Sequence, residues 1–227
     1  MILNFTQCNV CALQKHFAKR EKEIINGNIT PDAVIDYYNN WADNGYDEEV
    51  SPQVYRGPQM TAETVASLFD TSARDNTEIL DIGAGTGLLA TQLRKYGFST
   101  IDALEPSIGM LNLARKRNLY RNYYNCYLTN DAIPDVKGCF DCVLTCGCFV
   151  PGHLPPDCLY DCLPFAKKDG KVVISKRANY GEPKYEQSLI SLMEELEVNG
   201  KWKKILEIPV PNYCYDNLGV TYVFTVL

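Results

Sequence analysis

The sequence predicts an α/β protein with a mostly parallel sheet and helices on both of its faces. From residue 78 onward, short apolar runs alternate with longer segments of helical period. A glycine-rich stretch from Gly83 to Gly87 separates the first apolar run from a helical segment. The next apolar run ends in the acid Glu105. Because ligands bind at the carboxyl ends of strands in such sheets, the stretch and the acid are expected to face one site.

Length and composition favour one domain with some additional segments. The chain has 227 residues, of which 46% are hydrophobic, and a net charge of −6, which argues against extended contact with nucleic acid. No apolar run is long enough to span a bilayer, and the first residues lack the order of a signal peptide. We therefore expect a cytoplasmic monomer with reduced thiols. We predict no metal site; a metal held by Cys8 and Cys11 is the alternative.

Capping residues and breakers divide the first half of the chain into elements. Thr30 is expected to cap a helix whose first turn holds Pro31 and Asp32. Thr61 is expected to cap a second helix. There follow a strand from 78 to 82, a helix from 88 to 96 that ends at Gly97, a strand from 100 to 105 and a helix capped by Ser107.

The second half contains β-rich runs separated by helical segments. Its apolar patterns and turn residues predict a strand from 123 to 128, a strand from 139, a helix from 155 to 168, a strand from 171 to 175, a helix from 183 to 198 and two β-rich runs from 204 to 210 and from 220 to 227.

The glycine spacing and one acid indicate which ligand binds. A dinucleotide fingerprint places its third glycine where this chain has Leu88, so the spacing disfavours an NAD-dependent oxidoreductase. Asp81 precedes the first glycine by two residues. A carboxylate there would repel a pyrophosphate, but it would suit an ammonium group. S-adenosylmethionine, a sulfonium with an amino-acid tail, matches this chemistry.

Several motifs together resemble those of the class I methyltransferases. The stretch from Leu80 to Gly87 resembles their first motif, the stretch from Glu105 to Leu111 their second, and Phe140 to Leu144 their fourth strand. The resemblance implies a Rossmann-like seven-stranded sheet that is mostly parallel and ends in an antiparallel strand. The chain also resembles the methyltransferase-like proteins of the Williams–Beuren syndrome region, on the stretches 38–47, 55–56 and 146–148.

An aromatic segment before the core is similar to the lid of small methyltransferases. In that family, aromatic side chains of the lid cover the methionine part of the cofactor, and the matching residues here are Tyr38, Trp41 and Tyr46. Arg56 is a candidate partner for the cofactor carboxylate. We accordingly divide the chain into an N-terminal helical extension (1–30), a cofactor lid (31–60) and a methyltransferase domain (61–227).

The resemblance also implies the remaining cofactor contacts. Glu105 would accept hydrogen bonds from the ribose hydroxyls, for which an acceptor-only carboxylate is suited. Either Asn130 or Asp131 would bind the adenine amino group, and the sequence does not choose between them. The other expected cofactor-binding residues are Asp81, Gly83, Ala84, Gly85, Gly87, Pro106, Ser107, Met110, Thr145 and Cys146.

The segment after the fourth strand, from Thr145 to His153, is expected to face the transferred methyl group. It lacks the Asn/Asp-Pro-Pro-Tyr element of many amino-group methyltransferases. We therefore predict in-line methyl transfer from S-adenosylmethionine to a small molecule or a protein side chain, with His153 as the candidate base. The alternative is a protein that binds S-adenosylmethionine or S-adenosylhomocysteine without turnover.

Overall fold

The computed structural model of the chain describes residues 14–20, 22–24, 30–178 and 183–227. Their strands form one seven-stranded sheet in the order β3-β2-β1-β4-β5-β7-β6, and only β7 runs antiparallel to its neighbours. This confirms the predicted sheet. The strands are β1 (Ile79–Ile82), β2 (Ile101–Leu104), β3 (Tyr123–Tyr124), β4 (Phe140–Cys146), β5 (Ala166–Arg177), β6 (Trp202–Cys214) and β7 (Asn217–Val226).

Helices precede the sheet and connect its strands. Residues 14–20 and 22–24 are helical. The further α-helices are α1 (Pro31–Asp43), α2 (Tyr46–Glu49), α3 (Gly57–Leu68), α4 (Leu88–Lys95), α5 (Ile108–Arg117), α6 (Cys158–Cys162) and α7 (Pro183–Val198). The caps predicted at Thr30 and Ser107 are confirmed, because each side chain accepts a hydrogen bond from the backbone N–H three residues on. No described helix is both long and apolar enough to cross a membrane.

The prediction that Thr61 caps the next helix is wrong. Helix α3 begins four residues earlier, at Gly57, with Pro58 in its first turn, where a missing N–H costs nothing. The hydroxyl of Thr61 donates to the carbonyl of Gly57 at 2.7 Å instead of accepting a bond as a cap would.

The bounds of three strands and one helix also differ from the prediction. Strand β3 ends at Tyr124, four residues early, and the helix predicted from 155 to 168 is only the five-residue α6. The fifth strand begins at Ala166, and a shift of register at Phe140/Cys142 accommodates the turn-like Asp169, which has φ +64°. Strand β6 is longer than predicted and includes the prolines at 209 and 211, which are tolerated in a strand at the edge of a sheet.

The sheet separates two apolar clusters, and alternate strand residues enter each of them. Leu80 and Ile82 of β1 pack on the face that α7 covers. Ile79 packs on the opposite face, against α3, α4 and α5. Since β1, β2, β4 and β5 are parallel, their carboxyl ends meet at one edge of the sheet. The loops that leave this edge form the candidate site.

Candidate functional site

A cavity of about 470 Å³ lies at this edge, beneath α1 and α2. Its walls come from α1 and α2, which belong to the predicted lid, from the glycine-rich loop after β1, the end of β2 and the segment after β4. The cavity therefore brings together most of the side chains expected from the sequence: Tyr38, Trp41, Tyr46, Asp81, Gly83, Ala84, Gly85, Glu105, Pro106, Met110, Cys146 and His153.

Gly83 and Gly85 of the loop are glycines for different structural reasons. Gly83 and Gly85 both have left-handed φ angles, +69° and +55°. A Cβ at Gly83 would lie 2.3 Å from the Cys148 sulfur, so packing requires this glycine. A Cβ at Gly85 would meet only the carbonyl oxygen of Gly83, at 4.0 Å. Because Gly85 lines the cavity, the space beside it is available to a ligand.

Two buried carboxyl groups form part of the cavity wall. Glu105 accepts hydrogen bonds from the backbone N–H groups of Gly85, at 2.9 Å, and Ser107, at 2.8 Å. Burial raises its pKa to about 7, although these two bonds lower it in part. Asp81 accepts a bond from the hydroxyl of Tyr120 at 2.7 Å. Burial also raises the pKa of Asp81 to about 7, against the effect of the Tyr120 bond, and the nearby charge of Glu105 adds to the rise.

These groups fit the cofactor that the motif implies. A carboxylate oxygen has more than one lone pair, so Glu105 can accept hydroxyl hydrogens in addition to its backbone bonds. A cationic ammonium group beside Asp81 would offset the burial that raises the pKa of this acid. The open space at Gly85 would let the cofactor pass close to the main chain of the loop, between the two acids.

The aromatic residues of the lid pack on one another above the cavity. The ring centroids of Tyr38 and Trp41 are 5.9 Å apart and stacked, and Trp41 meets Tyr46 edge-on at 4.8 Å. Trp41 is buried, and within the described residues its indole nitrogen has no hydrogen-bond partner. The rings therefore form a continuous apolar roof.

Polar contacts hold the lid on the core. The amide oxygen of Asn39 accepts bonds from the hydroxyl of Ser107 and the backbone N–H of Gly109, at 2.8 and 2.9 Å, at the start of α5. The carboxylate of Asp47 accepts a bond from the hydroxyl of Thr86, in the glycine-rich loop, and pairs with Arg117. The lid is thus attached to both motifs that surround the cavity.

His153 is joined to the lid. Its Nε2 lies 2.6 Å from the hydroxyl oxygen of Tyr38, and its Nδ1 lies 3.3 Å from the carbonyl oxygen of Pro151. Because a carbonyl can only accept, Nδ1 carries the ring proton and Nε2 accepts from Tyr38. Burial lowers the pKa of His153, so the imidazole is neutral near pH 7. A neutral imidazole is the form that can take up a proton.

Some cavity residues were not expected from the sequence. Tyr55 and Tyr213 form part of the wall next to Cys146, and Arg177 stands at the end of β5. Tyr55 belongs to the stretch 55–56 that resembles the family, but the sequence indicates a role only for Arg56. No sequence signal identifies Tyr213, because it lies near the end of β6 and reaches the cavity through the β6–β7 pairing. Burial raises the pKa of Cys146, which keeps the thiol protonated and favours a packing role.

Three expected contacts lie behind the cavity wall instead of in it. Gly87 turns into α4 with φ +88°. Ser107 is fully buried as the cap of α5. Thr145 is buried within β4, and its hydroxyl has no partner among the described residues. These residues shape the loops that carry the cavity-lining groups, but they do not line the cavity.

Three other expected contacts point elsewhere. The guanidinium of Arg56, just before α3, contacts the sulfur of Met60 in the first turn of this helix at 3.7 Å. Asn130 and Asp131 are exposed, and the side chain of Asp131, 84% exposed, pairs with Lys137. Because β3 is short, the chain after it reaches the cavity earlier than expected, with Tyr127 and Leu128.

The possible metal ligands Cys8 and Cys11 lie outside the described residues. Within the described ranges, no group of three or more histidine, cysteine, aspartate or glutamate side chains is placed to hold a metal ion.

Comparisons with known proteins match these features. The methyltransferase domain family matches residues 79–175. The chain is 30% identical over 176 residues to human Methyltransferase-like protein 27, covering 78% of this chain and 71% of the human one. It is 27% identical over 107 residues to a putative protein N5-glutamine methyltransferase of Methanocaldococcus jannaschii, over 47% of this chain and 51% of the archaeal one.

Solved structures share the fold. The magnesium protoporphyrin IX methyltransferase of Synechocystis, with bound SAH, superposes with a TM-score of 0.64 at 15% identity, over 87% of this chain and 99% of the cyanobacterial one. The same enzyme has also been solved with SAM. With the cavity, the glycine-rich loop and the human relative, the conclusion follows that the chain belongs to the class I S-adenosylmethionine-dependent methyltransferases.

Proposed function

We propose that this methyltransferase acts on a small molecule or an exposed protein side chain, and that His153 takes up the proton the acceptor loses. The observation that carries the proposal is the 2.6 Å contact between His153 Nε2 and the Tyr38 hydroxyl in the cavity wall. When bound, S-adenosylmethionine supplies a methyl group already activated on a sulfonium. The protein must then position the acceptor, exclude water and remove a proton where the acceptor has one to lose.

We assign the cofactor contacts to residues that line the cavity. Glu105 would bind the ribose hydroxyls, and Asp81 would bind the ammonium group. The protein backbone at Gly83 and Gly85 would lie in close contact with the cofactor. The aromatic roof of the lid would exclude water from above. The open space at Gly85 and the raised pKa values of both acids support this assignment.

The proton path that we propose has two steps. The acceptor gives its proton to the Tyr38 oxygen while the proton of Tyr38 passes to Nε2 of His153. The imidazolium that results keeps its Nδ1 bond to the Pro151 carbonyl and later loses the extra proton to solvent. Since Tyr38 belongs to α1, this path is complete only when the lid covers the cavity. The same dependence supports treating residues 31–60 as a lid distinct from the core.

The charge and shape of the site favour acceptors other than nucleic acid. The net charge is −6, and the carboxyl groups Asp81 and Glu105 face the same cavity. The stretch from Thr145 to His153 lacks the Asn/Asp-Pro-Pro-Tyr element, so we do not carry over the glutamine amide of the archaeal relative. We further propose that the protein acts as a cytoplasmic monomer whose cavity is lined by residues of a single chain.

Two conservative variants and one control test the role of His153. A metabolite extract and a protein extract are incubated with isotopically labelled S-adenosylmethionine, and labelled products are measured by mass spectrometry. His153→Gln and Tyr38→Phe should each slow turnover by about 10²–10⁴-fold, the range for a lost general base. The exposed histidine variant His16→Gln should behave as wild type.

Calorimetry with S-adenosylhomocysteine separates the base from the cofactor site. The His153→Gln variant should keep its affinity within about twofold, because the imidazole is assigned to the acceptor side. Equal losses of affinity and turnover, or unchanged turnover in this variant, would rule out the proposed base.

A further inference from the structure

Three polar side chains meet at the floor of the cavity, at the carboxyl end of β4. The hydroxyl of Tyr55 lies 3.4 Å from the Cys146 sulfur and 3.4 Å from the hydroxyl oxygen of Tyr213. The Cys146 sulfur lies 3.5 Å from the same Tyr213 oxygen. All three residues line the cavity, and the role assigned to His153 uses none of them. We call these three side chains the floor cluster.

Three glycines make room for the two rings of the floor cluster. A Cβ at Gly57 would lie 2.6 Å from a ring carbon of Tyr55, and one at Gly147 would lie 2.5 Å from its hydroxyl oxygen. A Cβ at Gly219 would lie 2.4 Å from ring carbons of Tyr213. Gly57 and Gly219 do not have a left-handed φ, so backbone conformation does not explain them. These positions require glycine because a side chain would occupy the space of the tyrosine rings. The space left by the glycines therefore sets where each hydroxyl lies.

Among the described residues, the hydroxyl of Tyr55 has only distant hydrogen-bond partners. The hydroxyl of Tyr213 donates to the carbonyl of Ser175 at 3.1 Å. The hydroxyl of Tyr55 has its two partners at 3.4 Å, and the oxygen partner is beyond the usual 2.5–3.0 Å range of O–H···O bonds. Tyr55 can therefore donate to a ligand without breaking a strong bond. Burial raises the pKa of Tyr55 well above its ordinary value, so the phenol keeps its proton.

The floor cluster adjoins the proposed cofactor site. Cys146 is the last residue of β4, and Cys148, two residues on, packs against Gly83 of the glycine-rich loop. The neighbouring β1 carries that loop, and β4 pairs with it directly. A group that accepts a bond from Tyr55 would thus lie beside the cofactor and within the same cavity as His153.

We propose that the floor cluster binds the methyl acceptor through a carbonyl or carboxylate oxygen, which accepts a hydrogen bond from Tyr55. The inference rests on the proposed function, because it assumes that the acceptor shares the cavity with the cofactor. It narrows the acceptor class to molecules with an sp² oxygen. Tyr213 and Cys146 are positioning residues that hold the Tyr55 hydroxyl.

The test uses the full chain saturated with S-adenosylhomocysteine and three probes of similar shape. Benzamide presents a neutral carbonyl, benzoate presents a carboxylate, and toluene presents neither. Binding is measured by ligand-observed NMR titration to wild type and to Tyr55→Phe. This variant removes only one oxygen and keeps the ring that the glycines accommodate. Tyr160→Phe, which alters an exposed tyrosine, is the matched control.

We expect at least one oxygen-bearing probe to bind wild type, and to bind Tyr55→Phe about fivefold to tenfold more weakly, as for the loss of one hydrogen bond. Toluene should not distinguish the two proteins, and Tyr160→Phe should match wild type. Preference for benzoate or for benzamide identifies which oxygen the site takes. Equal affinities in wild type and Tyr55→Phe, or no binding of either oxygen-bearing probe, would overturn the proposal.

S-adenosylhomocysteine titrations complete the test. Tyr55→Phe should keep wild-type affinity for this cofactor product, which also shows that the variant is folded. A matching loss of cofactor affinity would place Tyr55 in the cofactor site and overturn the acceptor assignment. Because probe binding requires no proton removal, the floor cluster can be confirmed even when the His153 variants keep full turnover.

Discussion

Asp81 and Glu105 are buried acids of one cavity, and burial raises the pKa of each to about 7. A folded-state pKa above the unfolded value means that the folded protein binds more protons between the two values. The contribution of these groups to stability is therefore full at acidic pH and is lost as the pH rises through about 7. Binding of a cofactor that carries an ammonium group depends on pH in the opposite direction, because the ammonium group favours the ionised acids.

We expect the affinity for S-adenosylmethionine to fall as the pH drops below about 7 and to level off above it. Calorimetry across roughly pH 5.5 to 8.5 measures this dependence. In Asp81→Asn, which cannot ionise, affinity should be lower at high pH and its dependence on pH should be flatter. A variant with the same pH profile as wild type would contradict the assignment of Asp81 to the ammonium group.

The assignment of Glu105 to the ribose predicts a second change. Glu105→Ala should weaken cofactor binding by about 1.5–3 kcal/mol, the range for hydrogen bonds to a charged group. Titration calorimetry checks this value, with Glu207→Ala, an exposed acid of β6, as the control. A change of less than about twofold in the dissociation constant would show that the ribose lies elsewhere.

At the scale of elements, hydrogen bonds attach the first part of the lid to the core at Asp32, Tyr38, Asn39, Asp47 and Glu49. A segment held by separate hydrogen bonds can open locally, and a ligand beneath it adds contacts that oppose this opening. We predict that S-adenosylhomocysteine slows amide hydrogen exchange across residues 31–49, while exchange in the β6–β7 hairpin stays unchanged. Protection confined to the glycine-rich loop would show that the lid is a fixed part of the core.

The segment after β4 is fitted to Tyr55 at Gly147. Gly147→Ala combines a left-handed φ of +80° with a close approach of the new Cβ to the tyrosine hydroxyl. Gly138→Ala has the conformational cost alone, about 1–2 kcal/mol, since nothing lies within 4 Å of its Cβ. Chemical denaturation should show an extra cost of about 1–3 kcal/mol for Gly147→Ala from overpacking.

The hydroxyl of Tyr55 is the group that creates this extra cost. Adding Tyr55→Phe to Gly147→Ala should therefore recover it and leave a destabilisation like that of Gly138→Ala. Additive costs in the double variant would mean that the ring does not hold the position described here.

Local chemistry made some elements predictable. The helix caps at Thr30 and Ser107 depend on contacts three residues away, and the sequence alone identifies them. The start of β5 depends on pairing with Phe140 through a register shift, which apolar periodicity does not encode. The glycine-rich loop can be recognised in the sequence for the same reason as the caps, because its residues are adjacent in the chain.

For the molecule as a whole, the site draws on parts of the chain that only the sheet brings together. Tyr55 and Tyr213 are 158 residues apart in sequence and meet because the segment around Tyr55 pairs with the end of β6, through a bridge between Tyr55 and Cys214. No local pattern indicates that contact. The glycine-rich loop, Asp81 and Glu105 lie within 30 residues of one another, and their spacing was sufficient to identify the cofactor.

Methyltransferase activity is tested most directly by the transfer of a labelled methyl group from S-adenosylmethionine by the wild-type chain, measured by mass spectrometry on metabolite and protein extracts. Gly85→Val provides the matched inactive protein, because its side chain would enter the open space beside the loop. We predict labelled products with wild type and none with Gly85→Val. Binding of S-adenosylmethionine by wild type without any labelled product would contradict this prediction.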